Sequence, residues 1–433
     1  MHVVVVGASV AGLTVAEALR AEGHSGPVTL VGDEPHVPYG RPPLSKQVLT
    51  GTWDADRAAL RTAAELDALD VTIRSGVRAT GLEPSAHRLL TDAGPIAYDV
   101  LVVATGTTAV RPAVPGAERV HLLRTLDDAV RLRAAWASAE RVVVIGSGVL
   151  ASEIASAARG SERAVTMVGR RGGLSFGTVG LALSDRLTAL HRAAGVTVEP
   201  SAGARAVEGT GTDDTGRGGT GRGGTGCGGT AVVLGDGRRV PADVVVAATG
   251  GRPNTAWLAG SGVVVDDGVC CDARGVAAPD VFAIGDVARW AAPGLVRAPA
   301  PTSSVSLPPR VEHQTNAIEQ ALSVAATITG RDDQTERVPF FWSEVHGVLV
   351  QAAGTFDPAT PLEPWDDDPA VLVQHSDDRG SADDLGGAGD RGSTGDRGGT
   401  GDRAATGVVG WGAPRSFRRA RRLLVAGIPT PTR

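Results

Sequence analysis

HVVVVGASVAGLTVAEALR, residues 2–20, decides the fold. Its first five residues make a short apolar, mostly β-branched run, as in a strand buried within a parallel sheet. GASVAG (7–12) interrupts the run, and LTVAEALR then continues with apolar residues at helical spacing. PVTLV (27–31) reads as the next strand and ends in Gly32-Asp33-Glu34. Strand, glycine turn, helix and strand in this order form the βαβ unit that binds a dinucleotide. Gly7 makes the tight turn and Gly12 lets the helix pack on the strand. Ser9, Val10 and Ala11 line the turn, so the helix N-terminus faces a pyrophosphate. Glu34, 22 residues beyond Gly12, stands where a carboxylate meets ribose hydroxyls. Ser9 replaces the middle glycine of the pattern and narrows the backbone's approach slightly.

The unit recurs. RVVVIGSGVLASEIASAAR (141–159) is again strand, turn and helix, with Gly146, Ser147 and Gly148 in the turn, and AVTMV (164–168) is the following strand. One such turn is a weak signal. Two, each framed by strand and helix and about 140 residues apart, indicate two dinucleotide sites. The chemically natural pair is a flavin and a nicotinamide. YDVLVVATG (98–106) and ADVVVAATGGRPN (242–254) read as strands ending in A-T-G, each closing one nucleotide domain and crossing to the other. They put Thr105, Gly106 and Gly250 at the crossovers. DVFAIGDVA (280–288) places Asp286 at a strand's C-terminal end, where open α/β sheets bind ligands and a carboxylate accepts hydrogen bonds from a polyhydroxyl chain. Asp286 is also suited to cap a following helix. After AVTMV the ribose position is Gly169, followed by Arg170 and Arg171. Losing the acid and gaining two arginines predicts NADPH rather than NADH.

Composition bounds the rest. A chain of 433 residues is too long for one ordinary core. No window holds the roughly 18 apolar residues of a membrane helix, and MHVVVVGAS reads as a strand beginning at once, not a signal peptide. Net charge is −6, against general nucleic-acid binding. Cys227, Cys270 and Cys271 make no disulfide framework, and the expected location is cytoplasmic. One of the adjacent cysteines, in strand-like VVVDDGVCCDARG, should point inward. Glycine supplies 59 residues, roughly twice average usage, and much of the excess sits in two tracts, 209–230 and 377–407. These have little to bury and read as expanded loops between strands.

VPYGRPPLSK (37–46) is unusually rigid, because its prolines fix φ and lower the entropy cost of holding a loop in one shape. With GASVAG, VVATGTTAVRP, HLLRTLDDA, GSGVLASE, ATGGRPN, DVFAIGDVA, VEHQTNAIEQA and FFWSEVHG, it makes the chain resemble the FAD-dependent ferredoxin and rubredoxin reductases that serve oxygenases and cytochromes P450. The resemblance covers nearly everything outside the glycine tracts. VPYGRPPLSK departs from the family's PYDRPPLSK at Gly40.

The resemblance implies an α/β fold with two Rossmann-like dinucleotide-binding domains and a smaller C-terminal α/β domain. The FAD-binding domain spans 1–108 and 250–335. The NAD(P)H-binding domain is 109–249, with the insertion 209–230. The reductase domain is 336–433, with the insertion 377–407. The implied cofactors are FAD with NADPH or NADH, and the implied partner is an iron–sulfur ferredoxin or rubredoxin. Neither nucleic acid, a membrane nor a resident metal is implied, and monomer and homodimer both fit. Lys46 approaches the ring nitrogen that receives hydride, Arg41 contacts the ribityl or phosphate side, and Glu153 faces nicotinamide. Lys46 and Glu153 form a removable ionic gate. Ala79 and Arg124 are further flavin contacts, Gln314 contributes backbone near the pyrimidine ring, and Trp342 lies near the flavin edge. Core packing is the plain alternative for Trp342. RSFRRARR (415–422) carries five arginines suited to an acidic ferredoxin. Two rivals are a thiol-based flavoenzyme, opposed by the lack of cysteine in 33–50, and a slow flavoprotein of the apoptosis-inducing-factor type.

Overall fold

The strand expected at 2–6 forms at Val3–Val6, with every residue buried. It runs parallel to Val28–Gly32 on one side and to Val100–Val103 on the other. Four successive valines suit this central place, because both faces of such a strand are covered. The computed structural model describes residues 1–170, 172–210, 229–291, 307–331, 338–365, 368–375 and 405–426. Across the first sheet the order is Val276–Ala278, Val281–Ala283, Val100–Val103, Val3–Val6, Val28–Gly32, Thr72–Ser75. Only its first pair is antiparallel. Helix Val10–Ala21 supplies Leu13, Val15 and Leu19 to a core shared with Ala321, Val324 and Ala325 of helix Gln314–Ile328.

The second glycine unit builds a second sheet, ordered Thr197–Glu199, Ala164–Val168, Arg141–Ile145, Val244–Ala247, His121–Leu122, and parallel throughout. Helix Val149–Gly160 follows the strand that opens it. The two A-T-G segments leave their strands and pair with each other, Thr107–Ala109 antiparallel to Gly251–Pro253. The crossovers are thus a two-stranded ribbon.

By its internal contacts the chain divides into two units, 1–174 with 188–337, and 175–187 with 338–433. The first holds both sheets. In the second, an antiparallel sheet is ordered Phe340–Val345, Val348–Gly354, Ala405–Trp411, Asp368–His375, Glu363–Trp365. Helix Pro414–Val425 buries Phe417 and Ala420 in a core with Val371, Val373 and Val408. Residues 175–187 join this unit because Phe176 meets the Phe341 ring at 5.0 Å and Arg186 donates to Pro369 O at 3.2 Å.

Both glycine tracts connect strands that are already neighbours. Ala204–Thr210 pairs antiparallel with Gly229–Leu234, and Asp368–His375 with Ala405–Trp411. Residues 211–228 and 376–404 lie outside the described residues, as does Cys227. Two local expectations change. Asp286 sits in a single 3-10 turn, Gly285–Val287, that runs into strand Ala288–Trp290, so it caps no following helix. Cys270 and Cys271 are both buried, because their strand is covered on both faces: Cys271 joins a main core, and Cys270 a small cluster with Ala291 and Leu307.

Candidate functional site

The first glycine turn leaves no room for a side chain at Gly7 or Gly12. Gly7 has φ +126°, and a Cβ there would lie 2.1 Å from Ala104 O; one on Gly12 would lie 1.9 Å from Gly7 O. Ser9, at the N-cap of helix Val10–Ala21, makes no capping bond and donates its hydroxyl to Tyr39 O at 3.2 Å. The first N–H groups, from Val10 and Ala11 onward, therefore receive no side-chain cap. The second turn repeats this: Gly146 has φ +148°, with a Cβ there 2.2 Å from Ala248 O, and Gly148 at the N-cap offers no side chain. Two uncapped helix N-termini beside glycine turns fit dinucleotide phosphates.

Glu34 stands beyond the first turn, with both carboxylate oxygens engaged. Arg41 Nη2 donates to one at 3.0 Å and Tyr39 Oη to the other at 2.5 Å. Tyr39 also accepts the Leu126 N–H at 3.0 Å, and Arg41 Nη1 donates to Arg124 O at 2.5 Å. Burial pushes the Tyr39 phenol well above its ordinary pKa; Glu34 adds to the rise and Arg41 opposes it. Arg124 donates to Thr107 O at 2.9 Å and pairs with Asp286 at 3.0 Å. The loop 37–46 thus ties the ribose-side acid to the carboxylate at the end of strand Val281–Ala283. Asp286 is held in turn by Arg310, which donates to its backbone O at 2.6 Å. His313 occupies the N-cap position of helix Gln314–Ile328 without a side-chain capping bond, and burial lowers its imidazole to about 4 although Asp286 opposes this. The Gln314 side chain is exposed at that helix start, and Ala79 is half-buried in strand Ala79–Glu83.

Asn254 joins the crossovers. Its N–H donates to Gly106 O at 3.0 Å and its Nδ2 to Thr105 O at 2.9 Å. Thr105 and Thr108 hydroxyls donate back to Asn254 O and Oδ1, at 2.9 and 2.5 Å. Gly106 and Gly250 have φ of +62° and +108°, so the chain turns there in a region that favours glycine. Val110 N–H donates to Gly250 O at 2.9 Å.

The two halves meet at the proline-rich loop. Lys46 Nζ lies 2.6 Å from Glu153 Oε1, with side-chain exposures of 17% and 10%. Ser45 Oγ donates to Glu153 Oε2 at 2.5 Å. The helix that begins at the second turn therefore carries its glutamate directly onto the Ser45-Lys46 dipeptide. A largely buried ammonium and carboxylate at such a junction make a polar centre with two opposed charges, held by 3-10 turn Pro42–Ser45 on one side.

At the second ribose position a Cβ on Gly169 would lie 2.9 Å from Pro200 O and 3.2 Å from Ser147 Cβ. The adjoining strand ends in Glu199, whose two oxygens are held by Arg238 at 2.8 Å each. Arg170 is exposed, and Arg171 lies outside the described residues. In the second unit, Trp342 is 45% exposed on a strand whose burial alternates, so the core-packing alternative for it is corrected. His346 and Gly347, with φ of 49° and 76°, form the two-residue turn closing that hairpin. Both described cysteines are raised in pKa by burial and belong to cores, not to the 33–50 loop. Tyr39, Ser45 and Asn254 were not singled out from sequence. Tyr39 and Ser45 lay inside the quoted loop, and Asn254 inside ATGGRPN; a polar residue embedded in a rigid or glycine-rich stretch was the available signal.

Over residues 1–321 the sequence matches the family model described as pyridine nucleotide-disulphide oxidoreductase. The chain is 35% identical over 362 residues to rhodocoxin reductase of Rhodococcus erythropolis, covering 82% of this chain and 78% of that one. It is 32% identical over 360 residues to the ferredoxin–NAD(+) reductase subunit of the benzene 1,2-dioxygenase system of Pseudomonas putida, covering 82% and 81%. Among solved structures it is similar to the covalent putidaredoxin reductase–putidaredoxin complex, with TM-score 0.80, 27% identity, and 99% of this chain and 94% of that chain covered. With two glycine cradles and an acid–base pair where their halves meet, the chain belongs to the pyridine nucleotide-disulphide oxidoreductase family.

Proposed function

We propose that this chain is an FAD-dependent reductase that draws hydride from a nicotinamide dinucleotide and supplies single electrons to a ferredoxin or rubredoxin feeding an oxygenase or cytochrome P450. The observation that carries it is the Lys46–Glu153 pair, 2.6 Å apart where the two nucleotide-binding halves meet. The relatives' names, each a reductase of an oxygenase or redoxin system, support the same partner class. Bound FAD would supply the conversion between two-electron and one-electron chemistry. Glu34, oriented by Arg41 and Tyr39, binds ribose hydroxyls. The turn at 7–12 admits pyrophosphate, with Arg41, Ala79, Thr105, Gly106, Arg124, Asp286 and the backbone of Gln314 completing the cradle. Lys46 offers a cation to charge developing at the hydride acceptor, and Glu153 compensates that cation at rest.

Gly146, Ser147, Gly148 and Gly250 line the nicotinamide nucleotide's site. NADPH is the preferred donor in this reading: the neighbours of Gly169 leave no space for an acid that would reject a 2′-phosphate, and Arg170 with Arg171 supplies positive charge. A cytoplasmic location fits this role, and among the described residues no helix is long and apolar enough to cross a membrane. The test is anaerobic stopped-flow reduction of the FAD-loaded chain by NADPH and NADH separately. Fast bleaching, faster with NADPH, is expected, and Lys46→Ala should slow it roughly 100-fold while FAD affinity changes little. A chain that takes up no FAD, or reduces at the same rate without Lys46, would sink this assignment.

A further inference from the structure

Ser45 and Lys46 are consecutive, yet each takes a different oxygen of Glu153. Ser45 Oγ donates to Oε2 at 2.5 Å, and Lys46 Nζ lies 2.6 Å from Oε1. The two differ in freedom. Ser45 ends the 3-10 turn Pro42–Ser45, whose first two residues are prolines, and it is 3% exposed. Its hydroxyl is therefore placed by a rigid backbone. Lys46 reaches the carboxylate on four methylenes and can withdraw without moving the chain.

We propose that Ser45 is the positioning residue that allows Lys46 to release Glu153. This rests on the role given above to the Lys46–Glu153 pair. A buried carboxylate that gives up its ion-pair partner is strongly disfavoured, and that penalty favours the closed pair. With the Ser45 hydroxyl fixed on Oε2, the carboxylate keeps a charge-assisted hydrogen bond while Oε1 is given up. The ammonium, released from Glu153, is then offered to the hydride step as a cation. Ser45 touches neither reactant in this account; it acts through Glu153.

The experiment is a double-mutant cycle between Ser45 and Glu153, read in two ways. In single-turnover reduction of the FAD-loaded chain, Ser45→Ala should lower the limiting rate about tenfold with little change in nucleotide half-saturation. Ser45→Thr, which keeps the hydroxyl, should restore it. In a Glu153→Ala background Ser45→Ala should have no further effect. In the FAD-free chain, the melting-temperature losses of Ser45→Ala and Glu153→Ala should be less than additive when combined, because each removes the same Ser45–Glu153 hydrogen bond. Equal limiting rates for Ser45→Ala and parent, or the same fold loss in both backgrounds, would overturn the role of Ser45 while leaving the reductase intact. A parent chain that neither nucleotide reduces would overturn the pair's role and this one with it.

Discussion

His313 shows how one partly buried side chain makes the fold's stability depend on pH. Burial lowers its imidazole to about 4, against an ordinary value of 6.5 in the unfolded chain. Above pH 6.5 both states are neutral there, and the fold keeps its full stability. Between 6.5 and 4 the unfolded chain binds a proton that the folded chain refuses, so stability falls as pH falls through that window. Going from pH 7 to pH 5 should cost about 2 kcal/mol from this residue, measured by urea denaturation at each pH. His313→Gln should flatten the slope; an unchanged slope would show that other groups carry it. At this scale the turn glycines and Glu34 were visible from their offsets to a strand or a turn, whereas Arg41, Lys46 and Glu153 stood out only through the family resemblance. It did not reveal that Tyr39 ties Glu34 to the Leu126 amide. That contact spans 87 positions, and nothing local to either partner encodes it.

The strands and nucleotide-binding helices were legible because runs such as Val3–Val6 and Arg141–Ile145 are continuous, β-branched and followed at once by glycine. The crossover ribbon was legible only as two A-T-G signals. Its pairing, Thr107–Ala109 against Gly251–Pro253, and the four hydrogen bonds that Asn254 makes to Thr105, Gly106 and Thr108 came only with the folded chain. Asn254→Ala would strip the side-chain bonds and leave the Thr105 carbonyl short of a donor. The expected loss is about 2 kcal/mol, read as a lower denaturant midpoint. A shift under about 0.5 kcal/mol, the usual span of a plain surface substitution, would show that the backbone ribbon holds itself. Asp286 illustrates the opposite error: a carboxylate after a strand was suited to a helix cap, yet the chain turns once and continues as a strand, with Arg124 on the carboxylate and Arg310 on the backbone O of Asp286.

For the molecule as a whole, net charge of −6 makes attraction to an acidic redoxin a local matter. Helix Pro414–Val425 concentrates arginine, but not all five arginines of 415–422 are equally available. Arg419 lies over the Trp365 ring at 5.2 Å and Arg421 over Phe340 at 4.5 Å. Arg419 is still exposed, as are Arg415, Arg418 and Arg422, and the last three are the ones to replace. Replacing these three with glutamine should raise the KM for an acidic ferredoxin roughly tenfold at low salt and flatten its dependence on ionic strength, with steady-state ferredoxin reduction as the assay. An unaltered salt dependence would move docking elsewhere. The sequence also foretold that both glycine tracts would bridge strands, and each does so between antiparallel neighbours. Register there is fixed by the sheet, and doubling the length of such a bridge costs only about 0.6 kcal/mol in closure entropy. Those two junctions are therefore where codons can be gained or lost at least cost to the fold, and where an experimenter can graft a reporter without disturbing either nucleotide cradle.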